Sequence, residues 1–350
     1  MTAMEQAPAV AVLPAPSADW DAYVRRHADA PVYLCSGWSL LAREVFGHET
    51  FFIEGRDAAG MLVGVLPVVR QRGVLGDFAT SVPFFNYGGA LADADAIALL
   101  LMDHAREHVR SLGCSYLELR DVRARGGDWS LRTDKVSMVL ALPRNGEILA
   151  KQLGSKLRSQ IRRSEREAAK VRSGGMELLD AFYAVFSENM RDLGTPVYPK
   201  KFFAAVLRRF AENTLLLVVD HCDRPSAAGF LVFNGTRAEI PWAACRSAAK
   251  PIGLNMKLYW EVLSACMERG CTSFDFGRST ADSGTYRFKQ QWGAQPMQLY
   301  WHRWERRPTH AGAPDPSAGR LMQCATGVWR RLPLPVANML GPLVSPGLPW

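Results

Sequence analysis

The sequence is short of the residue patterns that announce most chemistries. Its seven cysteines, Cys35, Cys114, Cys222, Cys245, Cys266, Cys271 and Cys324, form no Cys-x-x-Cys pair. An odd, scattered set in 350 residues reads as reduced thiols of a cytoplasmic protein rather than a disulfide framework. The seven histidines are read as isolated, so no metal is expected. No Gly-x-Ser-x-Gly elbow anchors a hydrolase triad, and no Gly-x-Gly-x-x-Gly or Gly-x-x-x-x-Gly-Lys-Ser/Thr loop supports a nucleotide fold. The opening MTAMEQAPAVAVLPAPS lacks a basic stretch and is broken by Pro14 and Pro16, which excludes a secretory signal. The longest uncharged run follows Arg331 and holds Pro333, Pro335, Pro342, Pro346 and Pro349, too many for a transmembrane helix. Such an apolar stretch still suits a membrane surface or a protein partner.

What is present is a chain long enough for two domains, 48% hydrophobic and 22% charged, which excludes global disorder. The net charge of +8 is concentrated. Residues 151–172 hold eight basic and two acidic side chains, and residues 301–350 hold six arginines and two acids, leaving the rest of the chain near neutral. Leu149, Leu153, Leu157 and Ile161 recur every four residues and predict a basic helix over 149–173 docked by an apolar stripe. That helix is either a phosphate-binding face or a solvated one. It carries no interleaved aromatic ring, which weighs against a general nucleic-acid binder.

The two halves repeat. Gly113-Cys114-Ser-Tyr-Leu-Glu118 echoes Gly270-Cys271-Thr-Ser-Phe-Asp275, and Gly64-Val-Leu echoes Gly229-Phe-Leu. Helix, glycine and acid-bearing strand follow a hairpin in the same order, which predicts two similar α/β modules. Four segments carry candidate chemistry. In Phe274-Asp275-Phe276-Gly277-Arg278, followed by Tyr286-Arg287-Phe288-Lys289, a strand end feeds a short helix with Tyr286 and Lys289 three apart. The cations there either clamp a diphosphate or a developing oxyanion, or form a local Asp275–Arg278 pair beside a solvated Lys289. Asn189 to Pro199, including Arg191, is a stiff polar loop that either lines a cleft or simply connects helices. Pro83-Phe-Phe-Asn86-Tyr87-Gly-Gly89 permits close backbone approach or packs rings into a core. The basic helix, with Lys156, Arg158 and Arg162, is the fourth.

Read as continuous strings, PFFNYGG, GSKLRSQIRRSERE, FYAVFSENMRDLGTPVYPKKFF and FDFGRSTADSGTYRFKQQWGA resemble the FemAB-like acyltransferases. They resemble in particular the branch associated with exosortase (PEP-CTERM) and exopolysaccharide systems. The resemblance implies a mixed α+β fold of two tandem GNAT-like domains, each a central mixed sheet flanked by helices. It divides the chain into a flexible leader 1–17, domains 18–145 and 146–307, and a Pro-rich tail 308–350. It implies an acyl- or aminoacyl-transferase modifying a cell-envelope or exopolysaccharide precursor, in which an acceptor amine or hydroxyl attacks an activated acyl carbonyl. Lys289, with Arg278, would be catalytic; Asp275, Tyr286, Arg191, Asn86, Tyr87, Lys156, Arg158 and Arg162 would bind substrate. No tightly bound cofactor is implied, the donor being aminoacyl-tRNA or acyl-CoA. The acceptor would be a phosphate-bearing nucleotide- or lipid-linked sugar or peptide precursor, with tRNA as a partner if it carries the donor; the tail is open to either a peripheral contact with the inner membrane or a contact with protein. The sequence departs from acyl-CoA enzymes in lacking a Gln/Arg-x-x-Gly-x-Gly/Ala turn; the nearest stretch reads RSAAKPIGLNM at 246–256. The competing reading is a catalytically inactive scaffold of the same system.

Overall fold

The computed structural model describes residues 7–73, 76–307 and 319–348. In chain order the first elements are β1 (Ala9–Leu13), α1 (Trp20–Arg26), α2 (Ser36–Phe46), β2 (Glu49–Arg56), β3 (Leu62–Gly73), β4 (Gly76–Thr80), β5 (Leu91–Ala92), α3 (Asp95–Ser111), β6 (Tyr116–Asp121) and β7 (Ser130–Arg132). There follow β8 (Lys135–Ala141), α4 (Gly146–Gln152), α5 (Ser155–Glu165), β9 (Ala169–Gly174), α6 (Leu179–Leu193), α7 (Lys200–Arg209), β10 (Thr214–His221), β11 (Arg224–Asn234) and β12 (Arg237–Cys245). Last come α8 (Leu254–Glu268), β13 (Ser273–Thr280), α9 (Gly284–Gln290), β14 (Gln295–Gln298), β15 (Tyr300–Glu305), α10 (Arg320–Trp329) and α11 (Leu334–Val344).

The strands form two mixed sheets, each flanked by helices. The first runs β1-β2-β3-β4-β6-β15-β7, with β5 added to β3; the second runs β14-β8-β13-β12-β11-β10-β9. Written from opposite ends, the two orders are the same: an antiparallel meander of three strands, a fourth strand, a helix, and a fifth strand parallel to the fourth. The glycine repeat of the sequence falls on this correspondence. At Gly64 of β3 and Gly229 of β11 a helix or neighbouring strand presses close, a Cβ at the first meeting Leu101 Cδ1 at 2.8 Å and at the second Ile240 Cδ1 at 2.9 Å. Gly113 and Gly270 end α3 and α8 in the left-handed conformation, at φ 86° and 75°.

Two compact units result, and they do not follow the sequence boundaries. The first comprises residues up to 135 together with β15 and residues 346–348; the second comprises 136–297 and 319–345. β8, expected in the first domain, lies in the second sheet beside β13, and β15, expected to close the second, lies in the first sheet between β6 and β7. Each takes the sixth place in its sheet. An apolar strand reads the same whichever sheet receives it, because pairing is decided by neighbours remote in sequence.

Three further expectations are corrected. Residues 9–13, assigned to a flexible leader, pair with β2 from Ala9↔Arg56 to Leu13↔Phe52; residues 1–6 lie outside the described residues. The single basic helix over 149–173 is two helices and a strand. α4 stops at Leu153–Gly154, and 169–174 add an edge strand to β10. Ala169 and Val171 point to the core while Lys170 and Arg172 face water, a two-residue period hidden inside a charged run. The Pro-rich tail contains α10 and α11, which form despite Pro335 at the start of α11 and Pro342 within it; residues 308–318 of it lie outside the described residues. The apolar stripe itself is as expected: Leu149, Leu153, Leu157 and Ile161 are all buried in the core of the second unit. Each contributes roughly 1.5–3 kcal/mol, so burial holds a helix that its charge would leave in solvent.

Candidate active site

The second unit holds a buried polar cluster at a defined place in its sheet. β12 and β13 run parallel, but their register extends only from Arg237↔Ser273 to Glu239↔Asp275. Beyond that pair β12 continues to Cys245 and β13 to Thr280 without further pairing, so the sheet opens into a notch. Glu239 and Asp275 are the last paired residues, facing one another at its apex, both buried.

β13 bends just past this point. Gly277 takes φ 78°, a conformation that glycine adopts at little cost, and its N–H donates to Asp275 Oδ1 at 2.7 Å. A further donor to Asp275 comes from β8: Ser137 Oγ lies 2.6 and 2.7 Å from the two carboxylate oxygens. The bend turns the carbonyls of Gly277 and Arg278 toward α9, and Lys289 Nζ donates to both at 2.8 Å. α9 is short, and it is started by Ser283, whose Oγ accepts from Tyr286 N at 3.2 Å. One turn on, Tyr286 is half-buried against the core and Lys289 points inward at 7% exposure. Lys289 is therefore not a solvated surface cation. Burial pulls its pKa from 10.5 down to about 8; Asp275 and Glu239 favour its charged form and Arg278 opposes it. Close by on β13, Ser279 is buried with its hydroxyl unpaired among the described residues.

The other predicted residues are dispersed. Lys156, Arg158 and Arg162 lie on α5, Lys156 and Arg162 exposed and Arg158 half-buried. α5 packs beside the start of α8, where Gly253 (φ 86°) sits so close to α5 that a Cβ there would meet Ser164 Cβ at 3.3 Å. Those cations thus belong to the helix that packs against α8 and Gly253. Arg191 has been taken into the packing of α6, its guanidinium donating to Asp192 Oδ1 at 2.7 Å and to Leu332 O at 3.1 Å. Asn86 and Tyr87 belong to the first unit. There β4 and β6 are likewise parallel only at Ala79↔Leu117 and Thr80↔Glu118. The space beyond is occupied by the 81–89 loop, held by Gly88 N to Arg120 O at 2.7 Å, Arg120 N to Ser81 Oγ at 3.0 Å and Arg120 Nη1 to Phe85 O at 2.7 Å. Trp301 Nε1 donates to Asn86 O at 3.1 Å and Tyr33 stacks on Phe85 at 3.8 Å. The first notch is filled by its own chain; the second is lined with buried polar groups.

Sequence reasoning found Asp275, Gly277, Arg278 and Lys289 from one local pattern. It missed Ser137, which belongs to a strand expected in the other domain, and Glu239, an ordinary acid in an apolar strand until the register sets it beside Asp275. The reading of the histidines also needs amending. His104 and His108 stand four apart on α3, but His104 Nδ1 is bonded to Leu100 O and His108 packs on Phe51. Among the described residues no group of three His, Cys, Asp or Glu side chains is placed to hold a metal ion.

Residues 155–290, from the first residue of α5 to the last of α9, match the family model described as Acetyltransferase (GNAT) domain. No protein of curated function matches the chain. Among solved structures, that of FemX is 13% identical and covers 83% of this chain and 96% of its own, with a TM-score of 0.61. L-PGS from Bacillus licheniformis is 12% identical over 91% of this chain and 98% of its own, with a TM-score of 0.54. A tandem GNAT protein from the clavulanic acid biosynthesis pathway is 13% identical over 86% of this chain and 100% of its own, with a TM-score of 0.53. The fold is that of a tandem GNAT protein.

Proposed function

We propose that the protein is an acyl- or aminoacyl-transferase whose working site is the notch of the second unit. The observation that carries this reading is Lys289, a buried ammonium held at the divergence of two parallel strands by carbonyls that a glycine bend presents. Two of its three donors go to Gly277 and Arg278; the third serves the oxygen of an activated acyl carbonyl as an acceptor amine or hydroxyl attacks it. A donor fixed in a dry site is worth far more to a developing oxyanion than one in water. Asp275 and Glu239 keep the ammonium charged, and Ser137 with Gly277 N holds Asp275 in place. The acceptor's proton leaves with solvent or the departing group; no side-chain nucleophile is required, consistent with the missing triad motifs.

The cations of α5, beside the start of α8, suit a phosphate-bearing donor or acceptor. The lack of the glycine-rich turn used for acyl-CoA, together with the sequence resemblance to FemAB-like transferases, favours aminoacyl-tRNA as donor. A cell-envelope or exopolysaccharide precursor, within an exosortase-associated system, is the acceptor class that the sequence resemblance favours. The test is incubation with charged tRNA and, separately, with acyl-CoA, in the presence of nucleotide- and lipid-linked sugars and peptides, with mass spectrometry of the products. An adduct lost in Lys289→Met supports the reading. No adduct with either donor, or full turnover by Lys289→Met, overturns it.

A further inference from the structure

The tail helices are unlike the rest of the surface. α11 has eleven residues and one polar side chain, Asn338. Its inner face is made of Ala337 and Gly341, and a Cβ at Gly341 would lie 2.9 Å from the backbone nitrogen of Val197. Its outer face is equally apolar yet open: Met339 is 64% and Leu343 76% exposed, with Pro335 exposed and Val336 and Pro342 half-buried beside them. A helix that is hydrophobic all round is ordinarily covered on every side. Val328 on α10 and Leu193 at the end of α6 are 62% and 50% exposed, and Arg330 Nη2 donates to Leu193 O at 3.3 Å. Half of the large apolar side chains that stand exposed among the described residues lie in these three places.

Charge and polarity distinguish the occupants of such a face. Residues 319–348 contain three arginines and no acid, and Arg330 and Arg331 are exposed at the turn between the two helices. A protein partner would form roughly one hydrogen bond per 100–200 Å² of interface, and the outer face of α11 offers no side chain to make one. A bilayer asks for none, and anionic headgroups attract arginines placed at the edge of an apolar face. At about 1.5 Å per residue α11 spans about 16 Å, against a hydrocarbon core of about 30 Å, and no described helix is long and apolar enough to cross a membrane.

We propose that the α10–α11 pair docks the protein on an anionic lipid surface, the outer face of α11 lying in the headgroup–acyl boundary and Arg330 and Arg331 against lipid phosphates. This does not rest on the acyl-transfer reading and needs no turnover to test. In flotation assays the full chain is expected to rise with vesicles of phosphatidylcholine mixed with phosphatidylglycerol, far less with phosphatidylcholine alone, and less as salt increases. Met339→Gln with Leu343→Gln removes the binding while leaving the thermal melt unchanged, since both side chains stand in solvent. Arg330→Gln with Arg331→Gln weakens it about 30-fold, the effect of two surface arginines. Failure to float with the mixed vesicles overturns the proposal, as does binding that Met339→Gln/Leu343→Gln leaves intact. A dimer in sedimentation equilibrium that this double substitution dissociates overturns it too, by making a second copy the occupant.

Discussion

Lys289 carries a charge that its surroundings resist. Its pKa is held near 8 in the folded protein against 10.5 for an unburied lysine. Between those two pH values the unfolded chain keeps a proton that the folded protein has released, so this residue adds stability as pH rises from 8 to 10.5; below 8 the folded protein bears the full penalty of a buried charge. The melting temperature of the native protein is therefore expected to gain on that of Lys289→Met across this interval, which thermal scans at a series of pH values would reveal. Transfer should move the other way. If the ammonium stabilises the oxyanion, single-turnover rates fall as pH rises through about 8, and Lys289→Met loses about 10²–10³-fold in kcat. A rate that climbs through the same pH would make the neutral amine the working form. Ser137→Ala withdraws a hydrogen bond from a buried carboxylate and should cost about 1.5–3 kcal/mol of stability, read from urea denaturation. Lys289 and Asp275 were visible in one stretch of sequence because a short helix following a strand keeps them together. Ser137 was not, because 138 positions separate it from the carboxylate it holds.

Helices and strands were legible where a single period governs them. The spacing of Leu149, Leu153, Leu157 and Ile161 marked the docked face before any partner was known, and left-handed glycines stop α2 and α6 at Gly47 and Gly194. Charge hid the break after α5, since one basic run covers a helix and an edge strand alike. In the tail, proline suppressed the helix signal; α11 forms because Ala337 and Gly341 let it seat closely on the Val197 backbone. Gly341→Val should expel it, with contacts of 2.9–3.0 Å to Val197 leaving no room for a side chain. The expected result is about 1–3 kcal/mol of lost stability, with faster amide exchange confined to α11 and the end of α6 it covers. Exchange unchanged in α11 would show that the contact is not what holds it.

Neither half of the chain contains a whole sheet. A fragment of residues 1–145 keeps β8, which belongs to the second sheet, and lacks β15, which separates β6 from β7 in the first. It leaves open the edge of β6 where the six residues of β15 normally pair.

 The strand that covers this edge in the whole chain is β15, from Tyr300↔Asp121 to Glu305↔Tyr116. The fragment is expected to aggregate or to melt without cooperativity, as judged by light scattering and circular dichroism. A cooperative, monomeric 1–145 would show that β15 is dispensable to the first sheet.

The sequence by itself determined that the chain is a repeat of two mixed modules, where most of their strands and helices lie, and which local segment sets an acid, a glycine and a lysine together. Those properties rest on short-range periodicity and on residues within one turn or one strand of each other. Only the tertiary structure decided which sheet receives β8 and β15, that the first notch is filled by its own 81–89 loop, and that Arg191 is used in packing. It also decided that Lys289 is buried beside Ser137, Asp275 and Glu239, because register between strands remote in sequence is set by the pairing of whole sheets and not by any residue's neighbours along the chain.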